Sequence, residues 1–288
     1  MIVIDNICPT CSNPLTWEKD TCLSCGTYVG APNVREVTLE QDKLLDRYEK
    51  KVEECKARGC FDEVSAFTDR IINDSEAVIN LWPEFLAQFL NGDKSIYSTY
   101  TLQTDAETRK AADRSNDKER RGTEGTLFGQ YGPHIRYAAL SLDGGEGLVS
   151  YGSCSVSLRQ QLCLNTATLM EENSYTFLRR YRLLPGDPIP EARRAVWQDR
   201  HYLVTAKLAD KIDKSTTDSQ FTELLLFSEG DRATDEFIEV HVYGPFSKEA
   251  FVAAVIPSIK QAKSIDDRFY LSNIRDSLGK SGIPCKRV

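Results

Sequence analysis

The chain has no apolar run approaching the ~20 residues that a membrane-spanning helix needs. Its N-terminus also lacks the long apolar core of a signal peptide. A cytoplasmic protein with no membrane partner is therefore expected. An excess of positive charge is missing too: 36 Lys and Arg stand against 43 Asp and Glu, a formal net charge of −7. That balance argues against a protein coated in nucleic acid, while leaving room for one local basic site. No glycine-rich phosphate loop and no internal repeat is present. The histidines, His134, His201 and His241, are too scattered to form a metal triad. What is present is ordinary globular composition, 41% hydrophobic and 27% charged over 288 residues, enough to bury a substantial core.

Cysteine is not among the absences. Nine occur in a chain too large to need disulfide staples, and four of them form two Cys-x-x-Cys pairs, Cys8 with Cys11 and Cys22 with Cys25. Each pair sits at a tight turn that aims both sulfurs at one point, and the ten residues between the pairs suffice for a short returning hairpin. Four thiolates close a tetrahedral ion and leave no position open for chemistry, so one structural Zn2+ is expected. Iron of the rubredoxin type fits the same four ligands, whereas a redox dithiol would be needlessly duplicated. Lys19 is the sole basic residue between Cys8 and Cys25. Phosphate contact needs more cationic charge, so a structural or partner-docking knuckle is favoured over a nucleic-acid-binding one. Cys55, Cys60, Cys154, Cys163 and Cys285 are expected to pack as small apolar side chains.

Periodicity divides the rest into a helical arm over residues 34–92 and an α+β domain over residues 93–288, behind a zinc ribbon at 1–33. Thr38 and Gln41 have capping-box spacing. Helices are expected from there through Cys55, over 62–73, and over 75–90 with Pro83 as a kink. Residues 96–102 have a strand's composition. The segment 104–125, with Arg109, Lys110, Arg114, Lys118, Arg120 and Arg121, reads as a polar loop or short helix. Strands are expected over 137–142 and 151–158, joined by a turn at Asp143-Gly144-Gly145, and over 174–183 and 237–243. Helices are expected over 190–212, 247–255 and 267–279, and residues 221–227 fit either state. Strands and helices mix rather than alternate, which favours α+β over a doubly wound sheet.

Three pieces of the C-terminal half carry candidate chemistry: residues 135–140 around Arg136, residues 151–158 beginning Tyr151-Gly152-Ser153-Cys154-Ser155, and the alternating run Glu239-Val240-His241-Val242 with its Gly-Pro turn. On these motifs the second half of the chain resembles the mono-ADP-ribosyltransferases. The resemblance implies a split antiparallel sheet that grips NAD as substrate. Glu239 would be the carboxylate that stabilises an oxocarbenium-like ribose, with Ser153 and Ser155 holding the ribose beside Tyr151. Arg136 would be the fork on the pyrophosphate. The acceptor would be a macromolecule, nucleic acid or protein, and the setting a bacterial toxin or antiviral defence effector with an inhibitory antitoxin or partner protein. The family often carries Glu or Gln two residues before the catalytic Glu. Phe237 stands there instead, which argues against an arginine acceptor in a protein. Without the resemblance, Glu239 reads as a residue on the wet face of a half-buried strand and the serines as plain strand residues. Residues 96–102 compete with Arg136 for the place of the early strand. The main rival function is a catalytically inactive zinc-ribbon adaptor or a nucleic-acid-binding module.

Overall fold

The computed structural model describes residues 7–92, 95–105, 115–142, 144–145, 147–232, 234–262 and 264–287. Asp143 of the expected turn, and Arg109, Lys110 and Arg114 of the basic stretch, lie outside them, as does the side chain of Lys118.

Behind the knuckle, Pro32 opens α1 (Pro32–Thr38), where a missing N–H costs nothing. Helix α2 (Gln41–Arg58) stops at Gly59, whose φ of 72° closes its last turn, and α3 (Phe61–Asp74) follows. The capping box at Thr38 does not form, because Thr38 already ends α1. Its hydroxyl donates to the Val34 carbonyl, and the Gln41 amide donates to Asp199.

The helix expected over 75–90 is instead β1 (Ser75–Leu81) followed by α4 (Pro83–Asn91). β1 is paired on both edges, and tertiary pairing overrides a short segment's local preference. The strand expected over 96–102 is irregular chain running into α5 (Tyr100–Asp105). The polar stretch ends in α6 (Ser115–Phe128). β2 (Ile135–Leu142) and β3 (Cys154–Leu158) form as expected, but not as a hairpin, since β1 lies between them and pairs antiparallel with both.

Next come α7 (Gln160–Thr166), β4 (Ala167–Met170) and α8 (Ser174–Tyr181). The last replaces an expected strand because the Asn173 side chain caps it, accepting from the Tyr175 and Thr176 amides. The long helix expected over 190–212 is shortened to α9 (Arg200–Leu208), preceded by β5 (Arg194–Val196). Then follow α10 (Phe221–Leu225), β6 (Glu239–Tyr243), β7 (Phe251–Ile256), α11 (Ile265–Lys280) and β8 (Cys285–Arg287). β7 occupies residues expected to be helical, Val252 to Ile256 being rich in the β-branched side chains that suit a strand.

The result is an α+β fold on one eight-stranded sheet of order β5-β4-β6-β2-β1-β3-β7-β8. Pairing runs unbroken across it. The sheet is mixed rather than wholly antiparallel, because β7 and β8 run parallel. One face packs Ala77, Ile79, Leu140, Val156, Val240 and Phe251 against helices α2, α3, α4, α9 and α11. Cys55, Cys60, Cys154 and Cys163 are buried in that core, and Cys285 packs at its margin. Helices α6 and α8 cover part of the other face through Leu127, Phe128 and Phe177. No helix among the described residues is long and apolar enough to cross a membrane.

Candidate functional site

Two sites emerge, one at each end of the expectations. In the knuckle, the two Cys pairs have the same backbone. The Cys8 and Cys22 carbonyls accept from Ser12 and Gly26 at 2.9 and 2.8 Å, and their amides donate to Asn13 and Thr27, both at 2.8 Å. Ser12 and Gly26 hold φ of 58° and 73°, the left-handed turn that swings each second sulfur inward. Residues Ile7 with Pro14 and Thr21 with Tyr28 bridge across the base of each turn, so each pair sits in its own miniature hairpin. The four Sγ atoms lie within 4.8 Å of one another, with Cys8–Cys25 and Cys11–Cys22 separations of 3.6 Å. A tetrahedron of thiolates around a metal at ~2.3 Å has edges of about 3.8 Å, so the cluster fits one ion.

Arg35 of α1, 2% exposed, fastens this unit to the body. Its guanidinium donates to the carbonyls of Thr16, Trp17 and Lys19 at 3.1, 2.9 and 2.7 Å. Outside, the knuckle presents Leu23 at 73% and Tyr28 at 55% exposure, with Ile7 also exposed.

The second site lies on the face of the sheet turned to α6 and α8. Residues opposed in register share a face, so Glu239 lies beside Ala139 and Met170, and His241 beside Tyr137 and Thr168. The expected wet face is covered: Glu239 is 5% and His241 1% exposed. The Glu239 carboxylate accepts from Asn173 Nδ2 at 3.1 Å, from the Ser174 amide at 2.8 Å and from the Ser174 hydroxyl, and His241 Nε2 lies 3.0 Å away. His241 Nε2 is also 3.0 Å from the Ser174 oxygen, and its ring stands edge-on to Phe128 and Tyr137. Three of these contacts, from the Ser174 amide, the Ser174 hydroxyl and His241 Nε2, fall on Oε2, and Asn173 alone meets Oε1. They include the first amide of α8, where a negative charge is favoured by the helix end. Glu239 thus ties β6 to the start of α8.

The other candidates are spread out. Arg136, opposed to Val242, projects from the opposite face to Glu239 and is 3% exposed. It donates to the Tyr97 carbonyl from Nε at 3.1 Å and Nη2 at 3.0 Å, and to the His134 carbonyl from Nη1 at 2.6 Å. Burial pulls its pKa down, yet a guanidinium stays charged, so Arg136 serves as a cationic clamp on the chain at residues 95–99. Ser155 shares the face of Glu239 but stands on β3, three strands away, roughly 14 Å at the usual strand spacing. Its hydroxyl donates to the Gly145 carbonyl at 2.9 Å. Ser153, half-buried, precedes β3 and lies beside the Cys154 thiol.

Tyr151 is the candidate whose phenol feels the Glu239 charge. Burial and the Glu239 charge push its phenol up to about 12, and the Arg232 guanidinium lies 4.4 Å from its ring centroid. The loop carrying it returns at Gly152, where a Cβ would stand 2.2 Å from the Leu81 carbonyl carbon. Asn173 and Ser174 are the members of the cluster that sequence reasoning passed over. An Asn-Ser pair after a strand is an N-cap signal, although nothing local says which carboxylate the new helix will meet.

Two cavities lie elsewhere. One of about 760 Å3 is bordered by Arg70, Glu76, Gln160 and Lys286, and one of about 380 Å3 by Tyr48, Phe61, His201 and Tyr202. Neither is lined by Glu239 or Ser153. No family model and no curated protein matches the chain.

Proposed function

We propose that this protein is a zinc-organised adaptor: Cys8, Cys11, Cys22 and Cys25 hold one structural Zn2+, and the sheet domain is a rigid support rather than an NAD-consuming enzyme. The observation that carries this is the state of Glu239. Its Oε2 is engaged by Ser174 and His241, its Oε1 by Asn173, and the residue is 5% exposed, so a ribose could reach this carboxylate only by displacing contacts that hold α8 to β6. The zinc knuckle supplies the contact surface. Leu23, Tyr28 and Ile7 are apolar and exposed, while Lys19 is its one cation, which suits a protein partner better than nucleic acid.

Transfer of ADP-ribose from NAD to a macromolecular acceptor is the second reading. It is favoured by the placement of Glu239 and Ser155 on one sheet face, with the Tyr151 phenol within the electrostatic influence of the carboxylate. The experiment is nicotinamide release from NAD by the purified zinc-loaded chain, alone and with lysate, RNA or DNA. The adaptor reading expects no release and a Glu239→Gln variant that differs only in stability. Release that disappears in that variant would overturn it in favour of the transferase.

A further inference from the structure

The smaller cavity, of about 380 Å3, lies on the helical side of the molecule, away from the Glu239 cluster. Leu45, Tyr48 and Val52 recur at helical spacing on α2, as do Phe61, Val64 and Thr68 on α3, so each helix turns one stripe to the groove. His201 and Tyr202, from the first turn of α9, complete the lining. Inside it three half-buried rings meet. The Tyr48 and Tyr202 centroids are 4.7 Å apart at 48°, those of His201 and Tyr202 4.0 Å at 45°, and those of Tyr48 and His201 6.4 Å at 71°. Rings inclined at these angles make a corner rather than a flat stack, and the face of an aromatic ring is its negative side.

The charges agree with the rings. Glu49 and Asp69 border the cavity, both are exposed, and among the described residues neither takes part in an ion pair. Burial raises the Tyr48 phenol, and Tyr202, Asp69 and Glu49 add to the rise, so both carboxylates are felt at the ring corner. His201 brings no competing charge: burial and Arg200 lower its pKa against the pull of the Gln198 carbonyl. Arg200 itself does not border the cavity, its guanidinium donating to the Ser75 hydroxyl and to the Trp197 and Ile72 carbonyls. Phe61 already carries a cation of this chain, Lys56 Nζ at 5.4 Å from its centroid, held by Glu53 at 2.7 Å. Among the described residues no cation stands over Tyr48, His201 or Tyr202.

A primary ammonium is strongly hydrated and needs acceptors in exchange for its water. The ring corner offers π faces instead, with the carboxylates out at the rim. A quaternary ammonium has no N–H to satisfy and is drawn by both. We propose that the groove between α2, α3 and α9 binds a trimethylammonium group against Tyr48, His201 and Tyr202, with Glu49 and Asp69 as its counter-charge. Two sources carry that headgroup, a free metabolite of the choline type and a trimethylated lysine of a protein. The site does not rest on the adaptor reading.

The test titrates the full zinc-loaded chain with choline and with the neutral alcohol that has tert-butyl in place of trimethylammonium, following the ligand methyl resonance by NMR at constant ionic strength. Choline is expected to bind about tenfold tighter than the alcohol, the worth of a partly desolvated cation–π contact. Glu49→Gln, at an exposed position, should weaken choline about threefold while leaving the alcohol and the melting temperature unchanged. Tyr202→Leu should weaken choline about tenfold, and Tyr202→Phe, which keeps the ring, should bind it like the parent. A trimethyllysine peptide identifies the source: binding tighter than choline and lost without the methyl groups assigns the headgroup to a protein, and any other result to a free metabolite. Choline that binds no tighter than the alcohol would overturn the proposal. So would Glu49→Gln and Tyr202→Leu variants that bind choline as the parent does.

Discussion

Cys8 and Cys25 are 17 positions apart in the chain, whereas Asn173 and Glu239 are 66 apart. Both sites gather four groups around one point, but the knuckle does so within a single loop and the Glu239 cluster only after β4, α8 and β6 have assembled. The knuckle's sulfurs converge because two left-handed turns repeat the same backbone. The cluster converges because a helix cap and a strand meet across the finished sheet. A site of the first kind depends on its ion, and one of the second kind on the surrounding fold.

Chelation, or Cys22→Ser, is the largest way to break that comparison. A structural zinc site contributes on the order of 10 kcal/mol of binding free energy at neutral pH. Hydrogen exchange should show residues 8–30 losing protection while strands β1, β2 and β6 keep theirs. Loss of protection throughout would mean the two regions are one cooperative unit. Glu239→Ala should do the reverse, lowering stability to urea by about 3–5 kcal/mol, since it leaves His241, Ser174 and Asn173 without their shared acceptor. Metal content should stay at one ion per chain. A variant as stable as the parent would remove Glu239 from the role of tie.

A smaller effect separates burial from bonding in the same neighbourhood. Lys207 has a folded pKa of about 8 against 10.5 for an ordinary lysine, so between those values the unfolded chain binds more protons. Stability should therefore rise with pH across that window, by up to about 3 kcal/mol. Lys207→Met should flatten that rise relative to the parent in urea titrations at pH 8 and 10.5. An unchanged slope would show that Lys207 is not the group responsible.

The same contrast governs how much could be read from the chain. The cysteine ligands, the strands at 135–142 and 239–243 and the helices around Leu44, Phe67 and Leu271 all announce themselves by local spacing. Ser75–Leu81 does not. Its apolar content suits a helix or a strand, and the choice is made by partners beginning some 60 residues later. Ser174–Tyr181 has the aromatic and Thr content of a strand, and the Asn173 cap decides otherwise. Glu239 was legible as a residue of interest. Its bonding partners were not, because register with β4 sets them.

The position of β1 also bears on how the chain can be divided. Residues before 93 look like an appendage, yet they contribute the strand that separates β2 from β3. A fragment beginning at residue 93 would carry β6-β2 and β3-β7 as two half-sheets facing an empty lane. Each would have an unpaired inner edge of the kind that recruits other chains. Such a fragment should aggregate rather than fold, so the helical segment behind the knuckle cannot be cut from the body.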